Sequence, residues 1–259
     1  MGNKVEAVIF DWAGTTVDYG CFAPVQAFVE VFKEFGITPS MEEVRKPMGM
    51  LKIDHIRMML EMERIQKLWK ELHGRQSEEK DVLEMYHLFE SKLMSILDQF
   101  TEVKPHVLET VKELRKHGIK IGSTTGYTDD MMEIVTKGAK ENGYEPDVWF
   151  SPDSVNSKGR PYPYMIFKNM EALGVSSVKK VVKVGDTVSD ILEGKNAGII
   201  SIGVVEGSSE MGLLETEYLA LEKIEKESLD QKVKAAFFDV GADYVIQDMS
   251  ELPELILRK

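Results

Sequence analysis

The chain has 259 residues, 43% of them hydrophobic, with a net charge of −12 and a sequence pI near 5.0. That length suits a large α/β unit with a smaller second one, and the acidic balance argues against nucleic acid or an anionic membrane surface as partner. A single cysteine, Cys21, rules out a disulfide within the chain. No run approaches the roughly 20 apolar residues that span a bilayer, and no basic-then-apolar leader precedes the first strand, so the expectation is a soluble, cytoplasmic protein.

Val5–Phe10 is a short Val/Ile/Phe run that ends at Asp11 and reads as a buried strand. From Pro24 to about Phe100 no strand pattern occurs. Phe28, Val31, Phe32 and Phe35 recur at helical spacing, as do Ile53, Ile56, Met59 and Leu60, and then Leu83, Tyr86, Phe89, Leu93 and Leu97. Residues 21–100 therefore read as an inserted all-helical cap domain, flanked by core segments at 1–20 and 101–259. After the insert, strand and helix alternate. A helix opens at Pro105 and closes at Gly118; the strand Ile119–Ser123, the helix Asp129–Asn142, the strand Val148–Phe150 and the helix Tyr164–Leu173 follow. Val181–Val184, Ser189–Ala197 and Ile199–Val204 continue the alternation, Glu215–Lys234 reads as one charged, solvated helix, and Tyr244–Ile246 as a last strand. This order predicts an α/β fold, a Rossmann-like parallel sheet with helices on both faces.

In such sheets ligands bind beyond the carboxyl ends of the strands. Asp11 follows the first strand, Thr124, Thr125 and Gly126 the second, and Gly185-Asp186-Thr187-Val188-Ser189-Asp190 a later one; Arg160 lies in a loop after the short strand at 148–150. Taken singly, each is an ordinary turn or cap residue. Together, in order and each at a strand end, they suit phosphoryl transfer. Asp11, Asp186 and Asp190 offer hard oxygen ligands for Mg²⁺. Thr125 and Arg160 can stabilise the equatorial oxygens of a transferring phosphoryl group, and Asp11 can attack phosphorus.

Asp11-x-x-Gly14-Thr15, Thr125, Arg160 and Gly185-Asp186-x-x-x-Asp190 resemble the four motifs of the haloacid dehalogenase superfamily, and the helical insert resembles its cap. Phosphatases of that group carry a second Asp two residues after the nucleophile, where this chain has Ala13. The departure is similar to one branch, the phosphonoacetaldehyde hydrolases. The segments 10–20, 46–55, 122–128, 159–163 and 207–210 resemble that branch, and the likeness weakens only in parts of the cap and in the last 50 residues.

The resemblance implies hydrolysis of the P–C bond of phosphonoacetaldehyde to acetaldehyde and phosphate, within 2-aminoethylphosphonate degradation. It assigns Lys52 to a Schiff base with the aldehyde, which turns the departing carbanion into an enamine. An acid at position 13 is then unnecessary, and the Ala13 backbone carbonyl is expected to bind Mg²⁺. If residues 48–60 are helical, Met48, Lys52, His55 and Met59 share a face, so His55 can shuttle protons and Met48 can exclude water. Cys21, Gly126 and Tyr127 are expected near the substrate. A homodimer through the cap is also implied, with the apolar helix near 53–62 either at that contact or packed inside the cap. The competing expectations are a phosphate-ester hydrolase or phosphomutase on the same core, and a non-catalytic binding protein.

Overall fold

The computed structural model describes residues 4–257; the outermost positions of the two expected core segments, 1–3 and 258–259, lie outside the described residues. Among the described residues, six strands form one parallel sheet: β1 (Ala7–Phe10), β2 (Lys120–Thr124), β3 (Val148–Phe150), β4 (Val181–Gly185), β5 (Ile200–Val204) and β6 (Tyr244–Ile246). Their order is β3-β2-β1-β4-β5-β6. The chain winds outward from β1 in one direction and then restarts at β4 in the other. The crevice between the carboxyl ends of β1 and β4 is thus the switch point where such sheets hold ligands.

Period-two alternation splits the strands between two apolar clusters. Val8, Phe10, Val182, Val184 and Ile202 pack on one face. Ala7, Ile9 and Val181 pack on the other, against Ile166, Met170 and Leu173 of a helix at Tyr164–Leu173. Lys183 shares the second face by register, yet it stands fully buried in the middle of β4.

Between β1 and β2 no strand intervenes, and the inserted segment is built of α1 (Phe22–Glu34), α2 (Met41–Arg45), α3 (Lys52–Glu61), α4 (Glu63–His73) and α5 (Glu79–Ile96). Ser40 opens α2 with a reciprocal capping box to Glu43. Asp18 takes the first N–H groups of α1, accepting from Phe22 N at 2.9 Å and Ala23 N at 3.0 Å. The aromatic stack His55–Phe28–Phe89, with centroids 3.8 and 4.2 Å apart, joins α3, α1 and α5. The helical segment shares one apolar cluster with the sheet, through Phe28, Phe32, Trp69 and Phe89 on its side and Val8 and Phe10 on the other. The entry and exit strands of chain run side by side: Lys104 N donates to Thr16 O at 2.9 Å and Asp18 N to Glu102 O at 3.2 Å.

The remaining helices are α6 (Val107–Lys116), α7 (Asp129–Glu141), α8 (Tyr164–Leu173), α9 (Val188–Ala197), α10 (Glu215–Ala220), α11 (Lys223–Asp239) and α12 (Leu252–Leu257). No helix among them or the others is long and apolar enough to cross a membrane. Several expectations shift. The charged segment from Glu215 is two helices, because Glu222 starts a new capping box with Glu225, and α11 buries Val233 and Phe237 rather than being wholly solvated. On α5 the buried face is Val82, Met85, Phe89 and Leu93, one position off the Leu83–Tyr86 stripe, and Leu83 is exposed. The helix expected to open at Pro105 starts at Val107, behind a left-handed His106. In α3, Ile56, Met59 and Leu60 pack inside the chain, while Met58 is exposed.

Candidate active site

Four strand ends and one loop of the helical segment converge on the switch-point crevice. A small cavity there is lined from the sheet side by Asp11, Ala13, Thr125, Gly126, Tyr127, Arg160 and Thr187. From the helical side and its linker come Cys21, Met48, Gly49 and Lys52. Eight of the residues expected at the site thus line one cavity with Ala13. Asp186 and Asp190 stand directly behind it, and His55 does not line it.

The carboxylates of Asp11, Asp186 and Asp190 have ligand oxygens within 4.8 Å of one another, all buried. Burial first, and then the neighbouring Asp11 and Asp190 charges, push the Asp186 carboxyl well above the usual range. Such crowding is relieved by a cation, so the donor set fits a hard divalent ion. The backbone also leaves room for it. Gly14 has φ of 89°, and a Cβ there would collide with the Asp186 carboxylate. Asp186 is aimed by Thr15 Oγ1, donating at 2.9 Å, and by Ser209 N at 2.7 Å. Asp190 is more committed. Its Oδ2 closes the capping box of α9 with Thr187, and its Oδ1 contacts Lys183 at 2.9 Å and Arg160 at 3.1 Å.

Arg160 is buried and forked among acceptors. Its Nη2 donates to Asp11 Oδ1 and, at 2.9 Å, to Thr124 O. Its Nε donates to Glu193 Oε2 at 3.1 Å. Despite burial, the surrounding carboxylates of Asp11, Asp190 and Glu193 hold its pKa above the ordinary value. Thr125 Oγ1 accepts from Tyr127 N at 3.0 Å, which fixes the turn after β2.

Lys52 is the first residue of α3 and is buried. Its Nζ lies 5.2 Å from the centre of the Tyr127 ring, and among the described residues it has no ion-pair partner. Burial is the leading cause that lowers its pKa from the ordinary 10.5. Met48 is not on the same helix, as α3 begins only at Lys52. Met48 sits in the preceding turn, buried, with its carbonyl accepting from Ser189 Oγ at 3.3 Å. His55 stands one turn behind Lys52. Its Nε2 bonds the Val44 carbonyl at 2.8 Å, so that nitrogen carries the proton. Burial, then the Lys52 charge, keep its pKa well below 6.5. Cys21 adopts a left-handed conformation at the start of α1, and burial pushes its thiol well above 9.0, so it is an uncharged wall. Trp12, adjacent to Asp11, faces away and packs edge-on against Tyr144, centroids 5.3 Å apart.

The helical segment closes directly on the motif loops. A Cβ on Gly49 would meet Thr187 and Ser189, and one on Gly126 would meet the Met50 carbonyl. Arg45 Nη1, at the end of α2, donates to Gly20 O at 2.8 Å and Ser209 O at 3.2 Å.

Several residues at this site escape motif reading: Lys183, Glu193 and Lys104. Lys104 is buried beside the Gly14 and Glu206 carbonyls, and burial lowers its pKa to about 8. The available signals were a lysine inside the apolar run Val181-Val182-Lys183-Val184 and an acid one helical turn after Asp190.

A family model for haloacid dehalogenase-like hydrolases matches residues 5–198. A protein of Lysinibacillus sphaericus named phosphonoacetaldehyde hydrolase is 57% identical, over 98% of this chain and 94% of that protein. A Clostridioides difficile protein named bifunctional phosphonoacetaldehyde hydrolase/aminoethylphosphonate transaminase is 53% identical over 99% of this chain, which spans 40% of that longer protein. The crystal structure of a phosphonoacetaldehyde hydrolase-like protein from Oleispira antarctica superposes with a TM-score of 0.95 at 39% identity, covering 98% of this chain and 92% of that one. Motifs, fold and full-length likeness agree, and the chain belongs to the haloacid dehalogenase-like hydrolases, within the phosphonoacetaldehyde hydrolase family.

Proposed function

We propose that the enzyme hydrolyses phosphonoacetaldehyde to acetaldehyde and phosphate, through an imine on Lys52 and a phosphoryl group carried on Asp11. The observation that carries this reading is one cavity lined by Asp11, Arg160 and a buried Lys52 of lowered pKa, with Ala13 where an ester-cleaving enzyme needs its acid.

Lys52 attacks as the neutral amine, which burial favours. Condensation with the aldehyde releases water and gives a protonated imine. Asp11 then attacks phosphorus in line; the P–C electron pair moves into the imine and carbon departs as an enamine. Water hydrolyses the aspartyl phosphate, and protonation and hydrolysis of the enamine free acetaldehyde and Lys52. Arg160 shifts from Asp11 to the phosphonate oxygens as substrate enters, with Thr125 and backbone N–H groups of the 125–127 turn beside it. Asp11, Asp186 and the Ala13 carbonyl would hold Mg²⁺, with Asp190 at one remove. The ion would neutralise the phosphonate and the developing charge. With Nε2–H committed to Val44, His55 takes part in proton transfer through Nδ1, behind Lys52. Met48, Cys21, Gly126 and Tyr127 wall the aldehyde from water.

We place the enzyme downstream of a reaction that forms an aldehyde from 2-aminoethylphosphonate, a reading supported by the transaminase named in the Clostridioides difficile relative. We assign it to the cytoplasm, where Cys21 stays reduced, and to a homodimer through the exposed Met58 edge of α3. The deciding experiment is borohydride reduction in the presence of phosphonoacetaldehyde. A reduced adduct mapped to Lys52, together with phosphate release that Lys52→Ala abolishes, is expected. Phosphate release from simple esters, with none from phosphonoacetaldehyde, would instead identify an ester hydrolase.

A further inference from the structure

Arg160 is held at its inner edge by a residue that never reaches the cavity. Glu193 lies one helical turn after Asp190 on α9, so both carboxylates face the guanidinium. Glu193 Oε2 accepts from Arg160 Nε at 3.1 Å and from Thr124 Oγ1 at 2.9 Å. Lys183 Nζ completes the cluster, at 3.3 Å from Glu193 Oε2, 2.9 Å from Asp190 Oδ1 and 2.8 Å from Thr124 Oγ1. All four side chains are buried, at 0% exposure for Thr124, Lys183, Asp190 and Glu193. Four elements meet here: β2 through Thr124, β4 through Lys183, α9 through Glu193, and the loop carrying Arg160.

We propose that Glu193 is a positioning residue for Arg160, with Lys183 as its counter-ion, and that this pair holds the guanidinium so that Nη2 can exchange Asp11 for an oxyanion. Bonding at Nε fixes the plane and rotation of the guanidinium, while Nη1 faces Asp190 and Nη2 faces Thr124 and, toward the cavity, Asp11. The charges explain Lys183. Without it, two α9 carboxylates would share one arginine and hold it on the protein. With it, each has a cation, and the arginine can exchange Asp11 for the ligand. An isolated lysine inside a hydrophobic strand is otherwise costly, and its contacts with both α9 carboxylates supply the compensation.

This inference rests on the proposed role of Arg160 in binding the phosphonate group, and the test separates the two. The probe is inorganic phosphate with Mg²⁺, its Kd measured by calorimetry on the full chain. Arg160→Ala should weaken phosphate strongly; equal binding by wild type and Arg160→Ala would overturn the role of Arg160 and this inference with it. Glu193→Gln should weaken phosphate by about ten- to hundredfold, the range that supporting partners of ligating groups carry. In an Arg160→Ala background it should add almost nothing, because its effect runs through the arginine. It should leave borohydride trapping of acetaldehyde on Lys52 at the wild-type level, since that reaction involves no phosphorus. A lower Tm with unchanged phosphate affinity, or an equal loss in the Arg160→Ala background, would make Glu193 a merely structural residue. If Glu193→Gln fails to fold, the pair Glu193→Leu with Lys183→Met removes both charges together, and the same weakening of phosphate is expected of it.

Discussion

At the sheet end of the cavity, each charged group has charged or hydrogen-bonding neighbours: Asp186 has Thr15 and Ser209, Asp190 has Thr187 and Lys183, and Arg160 has Asp11, Asp190 and Glu193. At the helical end, Lys52 has the Tyr127 ring and no ion-pair partner among the described residues. The two ends solve different problems. Phosphoryl transfer needs permanent charges aimed at fixed points, so the sheet end is a network. In the proposed mechanism imine formation needs an amine without its proton, which the desolvated recess at the helical end favours. The difference teaches that reactivity is set by partners on one side and by their absence on the other.

The comparison is broken most completely by removing its poles. Asp11→Asn keeps the shape of the sheet end and removes the nucleophile, and should reduce phosphate release by roughly four orders of magnitude or more. It should still allow the Lys52 adduct, because imine formation does not require Asp11. Lys52→Ala should lower P–C cleavage comparably while leaving the affinity for inorganic phosphate close to wild type. Stopped-flow or endpoint phosphate assays and calorimetry read both. If Asp11→Asn abolished the adduct, or Lys52→Ala abolished phosphate binding, the two ends would be one cooperative unit rather than two.

The same contrast explains what was legible in the sequence. Asp11, Thr125 and Asp186 each follow a strand, and a parallel sheet delivers strand ends to one edge whatever the details of packing. The six strands were visible for the same reason, as short apolar runs between turn residues. Lys52 carries no such signal: an exposed helix-start lysine and a buried one look alike in the sequence, and only likeness to a family pointed to it. His55 was expected at the reaction, but a helix wheel cannot show that Phe28 stacks on its ring and Val44 takes its N–H. Along α5 and just past its end the expected Phe89, Leu93 and Leu97 are buried, but the first buried apolar position is Val82 rather than Leu83; the two are equally apolar, and only the docking of α5 on α1 decides between them. Lys183 was hidden by its strand; a cation amid valines reads as an interruption until Glu193 and Asp190 are seen beside it.

A smaller effect sharpens the helical end. Lys52 has a lowered pKa chiefly through burial. In the proposed mechanism the reactive form is the neutral amine, whose fraction rises as pH rises through that pKa. The acid limb of kcat/KM should therefore fall on the acid side of the 10.5 of an exposed lysine, with activity lost as pH drops below it. Met48→Gln places an amide against the amine. It should ease desolvation and move that limb to higher pH, by roughly half a unit to one unit. An unmoved limb would mean that nearby charges, rather than the dry recess, set the reactivity of Lys52.

The smallest expected effect lies where the two ends are joined. Arg45, on α2, donates to the Gly20 and Ser209 carbonyls and lies over the Phe22 ring at 4.8 Å. Ser209 in turn gives its N–H to Asp186 at 2.7 Å. One peptide loop thus ties the helical segment to a carboxylate of the sheet end. Arg45→Ala removes two charge-assisted hydrogen bonds whose full worth is about 1.5–3 kcal/mol each when buried. Arg45 is only partly buried, so the net loss should be nearer 1 kcal/mol, which is a severalfold change. The effect should appear mainly in KM, since the chemistry at Asp11 and Lys52 is untouched once the segment has closed. Arg45→Lys should not restore it, because one ammonium cannot span both carbonyls and the Phe22 ring. A fall in Tm with KM unchanged would leave Arg45 as packing alone, and the sheet and helical ends would then meet only through the cavity they share.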